Sequence, residues 1–161
     1  MAIEKVRAYF KAFGMEGRVL EFPVSSATVE LAAEALHTEG KRIAKTLSFK
    51  KEDGAILVLL AGDAKIDNKK FKERFGMKAK MLSPDEVDTL IGHSIGGVCP
   101  FGIPENVAVY LDVSMKRFET VFPAAGSANS AIELNMEELF RFSNAKDWVD
   151  VGKDWDGCPE A

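Results

Sequence analysis

The sequence contains little of what marks a secreted or membrane-embedded protein. Its 161 residues include only two cysteines, Cys99 and Cys158, too few and too far apart to suggest a disulfide framework. The longest apolar run, residues 55–61, is far too short to span a bilayer. The first residues lack the basic and apolar segments of a signal peptide. We therefore expect a cytoplasmic protein with no membrane partner.

The sequence also lacks the overall positive charge that is common in nucleic-acid-binding proteins, but its charges are unevenly distributed. The formal net charge is −4. Residues 41–80 carry twelve basic and five acidic side chains, whereas residues 81–161 carry five basic and fourteen acidic ones. A basic region of this kind can attract a polyanion even when the whole molecule is acidic. Solvated lysines on exposed faces are the alternative explanation.

What the sequence does contain is an interspersed series of helix and strand patterns, in a length suited to one domain. Helical spacing and capping signals predict helices over residues 2–13, 29–36, 68–75, 84–91 and 136–142. Alternating or continuous apolar runs predict strands over residues 18–22, 43–49, 55–60, 107–111, 118–122, 131–134 and 148–151. This order of elements predicts the α+β class, with a mixed sheet and helices packed around it.

The strand at residues 43–49 places a lysine among inward-facing apolar side chains. Lys45 shares one face of the strand with Ile43, Leu47 and Phe49. Burying its charge without a partner would cost on the order of several kcal/mol, so we expect the ammonium group to meet an anion or a water-filled cleft. Lys45 is therefore a candidate cationic anchor in a pocket. A lysine that extends past the sheet edge into solvent is the alternative.

A glycine-rich segment at residues 92–104 is the second candidate site. It contains four glycines, two prolines, one of the two histidines and one of the two cysteines. Because Gly96 and Gly97 have no Cβ, successive N–H groups can point into one concavity and bind an anion or the oxygen of a polarised carbonyl. Pro100 stiffens the end of this turn. A tight connection between a helix and a strand would explain the same composition.

Three motifs resemble those of a known family. Residues 43–47 (IAKTL), 96–102 (GGVCPFG) and 126–133 (GSANSAIE) occur in the order and spacing of the YbaK/prolyl-tRNA-synthetase editing-domain family. The resemblance implies a free-standing editing domain that hydrolyses the ester of a mischarged aminoacyl-tRNA. It also implies a curved mixed sheet partly closed into a barrel, and no metal or organic cofactor. We assign residues 1–151 to this domain and residues 152–161 to a C-terminal tail.

The resemblance further implies which residues form the site. The residues assigned to catalysis are Lys45, Gly96, Gly97, Val98, Cys99 and Pro100. Those assigned to substrate binding are Ser26, Thr28, His93, Ser127, Asn129 and Ser130. The lysine would hold the phosphate or sugar of the terminal adenosine, and the amides of the glycine loop would stabilise the oxyanion. A hydroxyl group of that adenosine would activate the water.

The predicted partner is the acceptor end of an aminoacyl-tRNA. Basic side chains of the region 65–80 would contact its phosphates without reading sequence. This set comprises Lys65, Lys69, Lys70, Lys72 and Arg74. The implied substrate is a small amino acid on a tRNA of the prolyl type, and an aminoacyl-tRNA synthetase is a candidate partner. The amino acid, the tRNA and the oligomeric state stay open.

Two other functions fit the same residues. Cys99 and His93 are six positions apart and could act as the nucleophile and base of a cysteine hydrolase, although no orienting acid is evident nearby in the sequence. A module that binds tRNA or a small ligand without turnover would also use a lysine beside a glycine loop. Continued deacylation after Cys99→Ala would dismiss the first alternative, and a deacylation assay would distinguish the second.

Overall fold

The computed structural model describes residues 2–26, 28–52, 54–93, 97–155 and 157. Within these residues the chain has the predicted α+β architecture, with five α-helices and ten β-strands. The helices are α1 (Ala2–Lys11), α2 (Val29–Leu36), α3 (Asn68–Phe75), α4 (Pro84–Leu90) and α5 (Met136–Phe142). The strands are β1 (Val19–Glu21), β2 (Ile43–Lys51), β3 (Gly54–Ala61), β4 (Lys65–Ile66), β5 (Ala108–Asp112), β6 (Thr120–Pro123), β7 (Ser130–Ile132), β8 (Leu134–Asn135), β9 (Asp147–Val149) and β10 (Gly152–Lys153).

Six of the described strands form one mixed sheet in the order β8–β6–β2–β3–β5–β9. The central strand β3 pairs antiparallel with β2 and parallel with β5, and β2 pairs parallel with β6. Two further ladders, β1–β7 and β4–β10, are antiparallel. A bridge between Ala124 and Ala131 connects the end of β6 to β7, so the sheet curls into the partly closed barrel that was predicted.

Helices cover both faces of the sheet. One face packs against α1, α4 and α5 in the largest apolar core, which includes Phe101. On the other face α3 covers a second core, and α2 covers a small third cluster. Strand β2 contributes one buried residue to each of the three, namely Ala44, Phe49 and Ile43. Side chains along β2 are therefore surrounded from both faces.

Side-chain caps set the helix boundaries that the sequence predicts. Thr28 accepts a hydrogen bond from the Leu31 amide at the start of α2. Asp67 accepts hydrogen bonds from the Lys69 and Lys70 amides at the start of α3. Capping boxes begin α4 at Ser83 and α5 at Asn135. No helix in the described part of the chain is both long enough and apolar enough to cross a membrane.

Residues 150–155, which follow β9, are tied to the rest of the fold. β10 pairs with β4, and the Asp112 carboxylate accepts the N–H groups of Val151 and Gly152 at 2.9 and 3.1 Å. Trp155 packs against the second core. Residues 152–155, which the sequence assigns to a tail, are thus held by a strand pair and by side-chain contacts. Cys158 lies outside the described residues.

Candidate functional site

A cavity of about 300 Å³ lies at the edge of β2, where the sheet is interrupted. Strand β6 pairs with β2 only at Ile43 and Ala44. The next pairing along that edge is the bridge between Phe49 and Met81. The cavity lies along the gap between these two contacts, and its walls include residues 43–48 of β2. It thus results from the curvature of the sheet and from a strand edge left uncovered.

At this gap, the described strands offer no partner to the outward-pointing polar groups of Thr46. Lys50 donates its N–H to the Lys80 carbonyl, and the Ser48 carbonyl accepts from the Leu82 amide. Because alternate residues of a strand direct their backbone groups to the same side, the N–H and C=O of Thr46 also point away from β3. No described strand pairs with them, and the buried Oγ1 of Thr46 has no hydrogen-bond partner among the described residues. Unpaired polar groups favour a ligand that supplies the missing donors and acceptors.

Lys45 lines the cavity from a half-buried position. Its neighbours on the same strand face, Ile43 and Leu47, belong to or pack against apolar clusters. Burial lowers the pKa of the Lys45 ammonium group below the ordinary lysine value, Asp63 and Glu30 oppose this shift, and Lys65 adds to it. A cation that has lost part of its hydration interacts more strongly with a bound anion than a surface lysine does. The predicted anchor therefore faces a cavity.

The glycine-rich segment contributes Val98 to the same cavity. Gly97 is buried, and a Cβ built on it would lie 2.7 Å from Ser127 Cα and 2.8 Å from the Ser127 backbone N and C atoms. Real Cβ atoms essentially never approach other atoms so closely, so only glycine allows the two loops to touch. Cys99 and Pro100 are buried, and Gly96 lies outside the described residues.

The loop at residues 126–130 is held in shape by its own side chains. Ser127 Oγ lies 2.9 Å from Asn129 Oδ1 and 2.7 Å from Ser130 Oγ. Asn129 Nδ2 donates to the Phe22 carbonyl at 2.9 Å, and the Ser26 amide donates to the Ala128 carbonyl. Phe22, Ser26, the 126–130 loop and Gly97 thus form one connected unit beside the cavity.

Five residues predicted from the sequence line one cavity: Lys45, Val98, Ser26, Thr28 and Ser130. The hydroxyl group of Thr28 also caps α2. Ser127 and Asn129, which were also predicted, do not line the cavity but support the 126–130 loop through the contacts given above. Among the described residues, no three His, Cys, Asp or Glu side chains are grouped closely enough to hold a metal ion.

Sequence reasoning missed most residues of the cavity wall, and three of them illustrate which signals the sequence offers. Thr46 follows the lysine directly, and its position in the same strand was an available signal. Met81 is 54% exposed at the rim, and only its isolation as a large apolar residue before the Ser83 cap marks it in the sequence. Ala124 reaches the wall through its bridge to Ala131, and no local pattern indicates this contact.

The position of His93 conflicts with the predicted role in substrate binding. Its side chain is fully buried, and Nε2 lies 2.8 Å from the Phe101 carbonyl oxygen. Since a carbonyl only accepts, Nε2 carries the proton and donates it to Phe101. Burial lowers the pKa of the imidazole, which favours this neutral form. His93 therefore ties together the two ends of the glycine-rich turn.

The same geometry argues against a cysteine nucleophile. Cys99 Sγ lies 3.5 Å from His93 Nε2, the nitrogen that already carries a proton and cannot accept one from the thiol. Burial raises the pKa of the Cys99 thiol to about 12, so the reactive thiolate is scarce at neutral pH.

We expect Cys99→Ala to keep deacylation within about threefold of the unmodified protein, because a buried neutral thiol is not a nucleophile. The lost packing should lower the free energy of unfolding by about 1 kcal/mol. Deacylation rates and urea unfolding curves would measure both effects. A variant that unfolds at nearly the same urea concentration but has lost deacylation would restore the cysteine-hydrolase alternative.

The structure divides the predicted tRNA-contact residues into two groups. Lys65, Lys69 and Lys72 are exposed. Lys70 Nζ lies 3.2 Å from Asp150 Oδ1 and 3.0 Å from the Gly152 carbonyl oxygen. Arg74 lies 3.4 Å from Asp147 and over the rings of Phe75 and Tyr110. The second group is thus engaged in contacts within the fold.

The fold and cavity define an α+β domain with a pocket at the edge of a curved sheet, and comparison with known proteins identifies its family. The family model of the aminoacyl-tRNA editing domain matches residues 24–142, and the chain belongs to that family. The chain is 58% identical to the uncharacterized Bacillus subtilis protein YwhH over 157 residues, which are 97% of this chain and 100% of YwhH.

Two further relatives carry functional descriptions. EbsC of Enterococcus faecalis, a candidate Cys-tRNA(Pro)/Cys-tRNA(Cys) deacylase, is 27% identical over 121 residues, 74% of each chain. The crystal structure of a candidate trans-editing enzyme for prolyl-tRNA synthetase has a TM-score of 0.85 and 29% identity, and the match covers 94% of this chain and 97% of that one. The family resemblance drawn from three short motifs is thereby confirmed.

Proposed function

We propose that this chain is a trans-acting aminoacyl-tRNA deacylase that hydrolyses the ester of a mischarged tRNA. The observation that carries the proposal is that Lys45 and Val98 of the glycine-rich segment line the same cavity. Membership of the editing-domain family supports it, as does similarity to a candidate deacylase and to a candidate trans-editing enzyme. A prolyl-tRNA synthetase is a candidate partner, since the second of these proteins is described as acting for that synthetase.

Lys45 would position the substrate. Its half-buried ammonium group would bind the phosphate or ribose of the terminal adenosine and so direct the ester toward the glycine-rich segment. Backbone N–H groups of residues 96–100 would then stabilise the oxyanion that forms when water adds to the ester carbonyl. One such donor typically contributes about 3–4 kcal/mol to transition-state stabilisation.

The proton transfers would depend on the substrate itself. The described walls of the cavity contain no carboxylate and no imidazole, the usual general bases. A ribose hydroxyl group of the terminal adenosine would activate the attacking water, and the leaving ribose oxygen would receive a proton. The products are the free amino acid and a tRNA with its terminal hydroxyl groups restored.

The walls favour a small amino acid. They include Ala32, Ala44, Ala124 and Ala131, and the cavity of about 300 Å³ must also accommodate part of the adenosine. The loss of a methylene group from a substrate changes its binding affinity only modestly. We therefore expect the cavity to select its substrate mainly by sterically excluding larger amino-acid side chains. A small residue on a tRNA of the prolyl type remains the proposed substrate.

A deacylation assay on a panel of mischarged tRNAs tests this function. The panel would carry alanine, cysteine, serine and larger residues on tRNA of the prolyl type, with Lys45→Ala as the control protein. We expect release of at least one small amino acid by the unmodified protein and a large loss in the variant. If both proteins bind tRNA and neither releases an amino acid, the chain is a binding module.

A further inference from the structure

Two lysines face each other across the β4–β10 ladder. The register pairs Lys65 directly with Lys153. Directly opposite residues of an antiparallel pair project from the same side with Cβ atoms about 4.5–5.5 Å apart, so both ammonium groups share one surface. Both side chains are exposed. Like charges in directly opposite positions are destabilising, so this pair opposes the folding of the C-terminal segment instead of favouring it.

Within the described part of the chain, neither lysine forms a salt bridge that would offset this repulsion. Among the described residues, Asp67 offers partial compensation, since its pKa is lowered mainly by hydrogen bonds from the Lys70 and Lys69 amides and also by the charge of Lys153. Its carboxylate is already engaged in capping α3. The two ammonium groups are therefore available to an external anion.

Lys65 is close enough to the cavity lysine, Lys45, for their charges to interact. Lys45 is paired with Leu60 of β3, and the chain then turns, with the Ala64 amide donating to the Ala61 carbonyl at 3.0 Å, before β4 begins at Lys65. The positive charge of Lys65 acts on Lys45, whose pKa it helps to lower. The lysine pair is thus linked to the cavity lysine through Lys65, whose charge acts on Lys45 and which lies opposite Lys153 in the ladder.

We propose that Lys65 and Lys153 form a clamp for the backbone phosphates that precede the terminal adenosine of the aminoacyl-tRNA. This inference rests on the proposed deacylase function, in which Lys45 holds the adenosine itself. Contacts of this kind bind any nucleotide sequence, because they act on phosphate charge and not on base edges. They would also bring a polyanion to a protein whose net charge is −4.

The double variant Lys65→Gln/Lys153→Gln tests the clamp with two substrates. One is the full aminoacyl-tRNA, and the other is the same amino acid esterified to adenosine alone, which lacks the preceding phosphates. We expect KM for the tRNA to rise about tenfold or more with kcat little changed, and hydrolysis of the adenosine ester to stay the same. Each phosphate contact with single-stranded nucleic acid contributes about 0.7 to the slope of log KM against log salt concentration. Loss of two contacts should therefore lower that slope by about 1.4. The midpoint of thermal unfolding should stay the same or rise.

The variant Lys11→Gln/Lys146→Gln removes the same charge from exposed lysines elsewhere and should leave both substrates almost unaffected. The clamp is refuted if this control raises KM equally, if the salt slope does not change, or if adenosine-ester hydrolysis falls as much as tRNA hydrolysis. A different result refutes the deacylase function itself: no hydrolysis of either substrate by the unmodified protein, whichever amino acid is used.

Discussion

Lys45→Met should abolish most of the deacylation activity without weakening the fold. We expect kcat/KM to fall by about 10²–10³-fold, the size of effect seen when one preorganised electrostatic contact is removed. Burial lowers the Lys45 pKa, because folding disfavours the charged form of this side chain. Methionine removes that unfavourable contribution. The midpoint of thermal unfolding should therefore stay the same or rise, and single-turnover deacylation together with thermal melts would measure both effects.

Lys51→Met provides the matched control, because Lys51 ends the same strand in an exposed position. It should leave deacylation within about threefold of the unmodified protein, as surface substitutions usually do. A merely structural role for Lys45 predicts the opposite pattern, in which activity and thermal stability are lost together. That pattern, or full activity in Lys45→Met, would contradict the proposed anchor.

Gly97→Ala should damage both loops of the site at once. The added methyl group would stand 2.7 Å from Ser127 Cα, and backbone atoms cannot move aside as the end of a flexible side chain can. Overpacking of this kind typically costs about 1–3 kcal/mol of stability. Because a shift of about 1 Å in a positioning element can lower the rate about 100-fold, we expect a loss of kcat/KM on that scale. Deacylation kinetics and urea unfolding would measure the two effects.

Gly17→Ala separates this steric effect from the general effect of adding a methyl group to glycine. A Cβ at Gly17 would meet no atom within 4 Å, so the protein should keep its activity and its stability. Equal activity in both variants would mean that the contact between Gly97 and Ser127 does not position the site. A crystal structure of Gly97→Ala with an unmoved 126–130 loop would lead to the same conclusion.

Much of the local structure could be predicted because its causes are local. Caps lie within three residues of the amides they satisfy, so Thr28, Asp67, Ser83 and Asn135 marked the starts of four helices. Alternation along β2 likewise indicated that Lys45 shares a face with apolar residues. The first helix ends at Lys11, two residues before its predicted end, where the chain turns ahead of Gly14.

Other elements depend on contacts that no local pattern encodes. β4 and β10 are two residues long, too short for any periodicity to appear, and each exists because the other pairs with it. For the same reason, the sequence assigns residues 152–161, which include β10, to a tail. The burial of His93 could not be predicted either, since the sequence does not indicate on which side of a glycine-rich turn a side chain will lie.

The sequence alone determined the class of fold, the family and the two segments that border the site, because each depends on residue types at short and regular spacing. Only the tertiary structure shows that β6 leaves β2 after two residues, which produces the gap, the cavity and the groups of Thr46 that no described strand pairs with. It also decided that Lys153 lies opposite Lys65, 88 positions away in the chain. Such features result from how distant strands meet when the sheet curls, and that geometry is a property of the whole packed molecule.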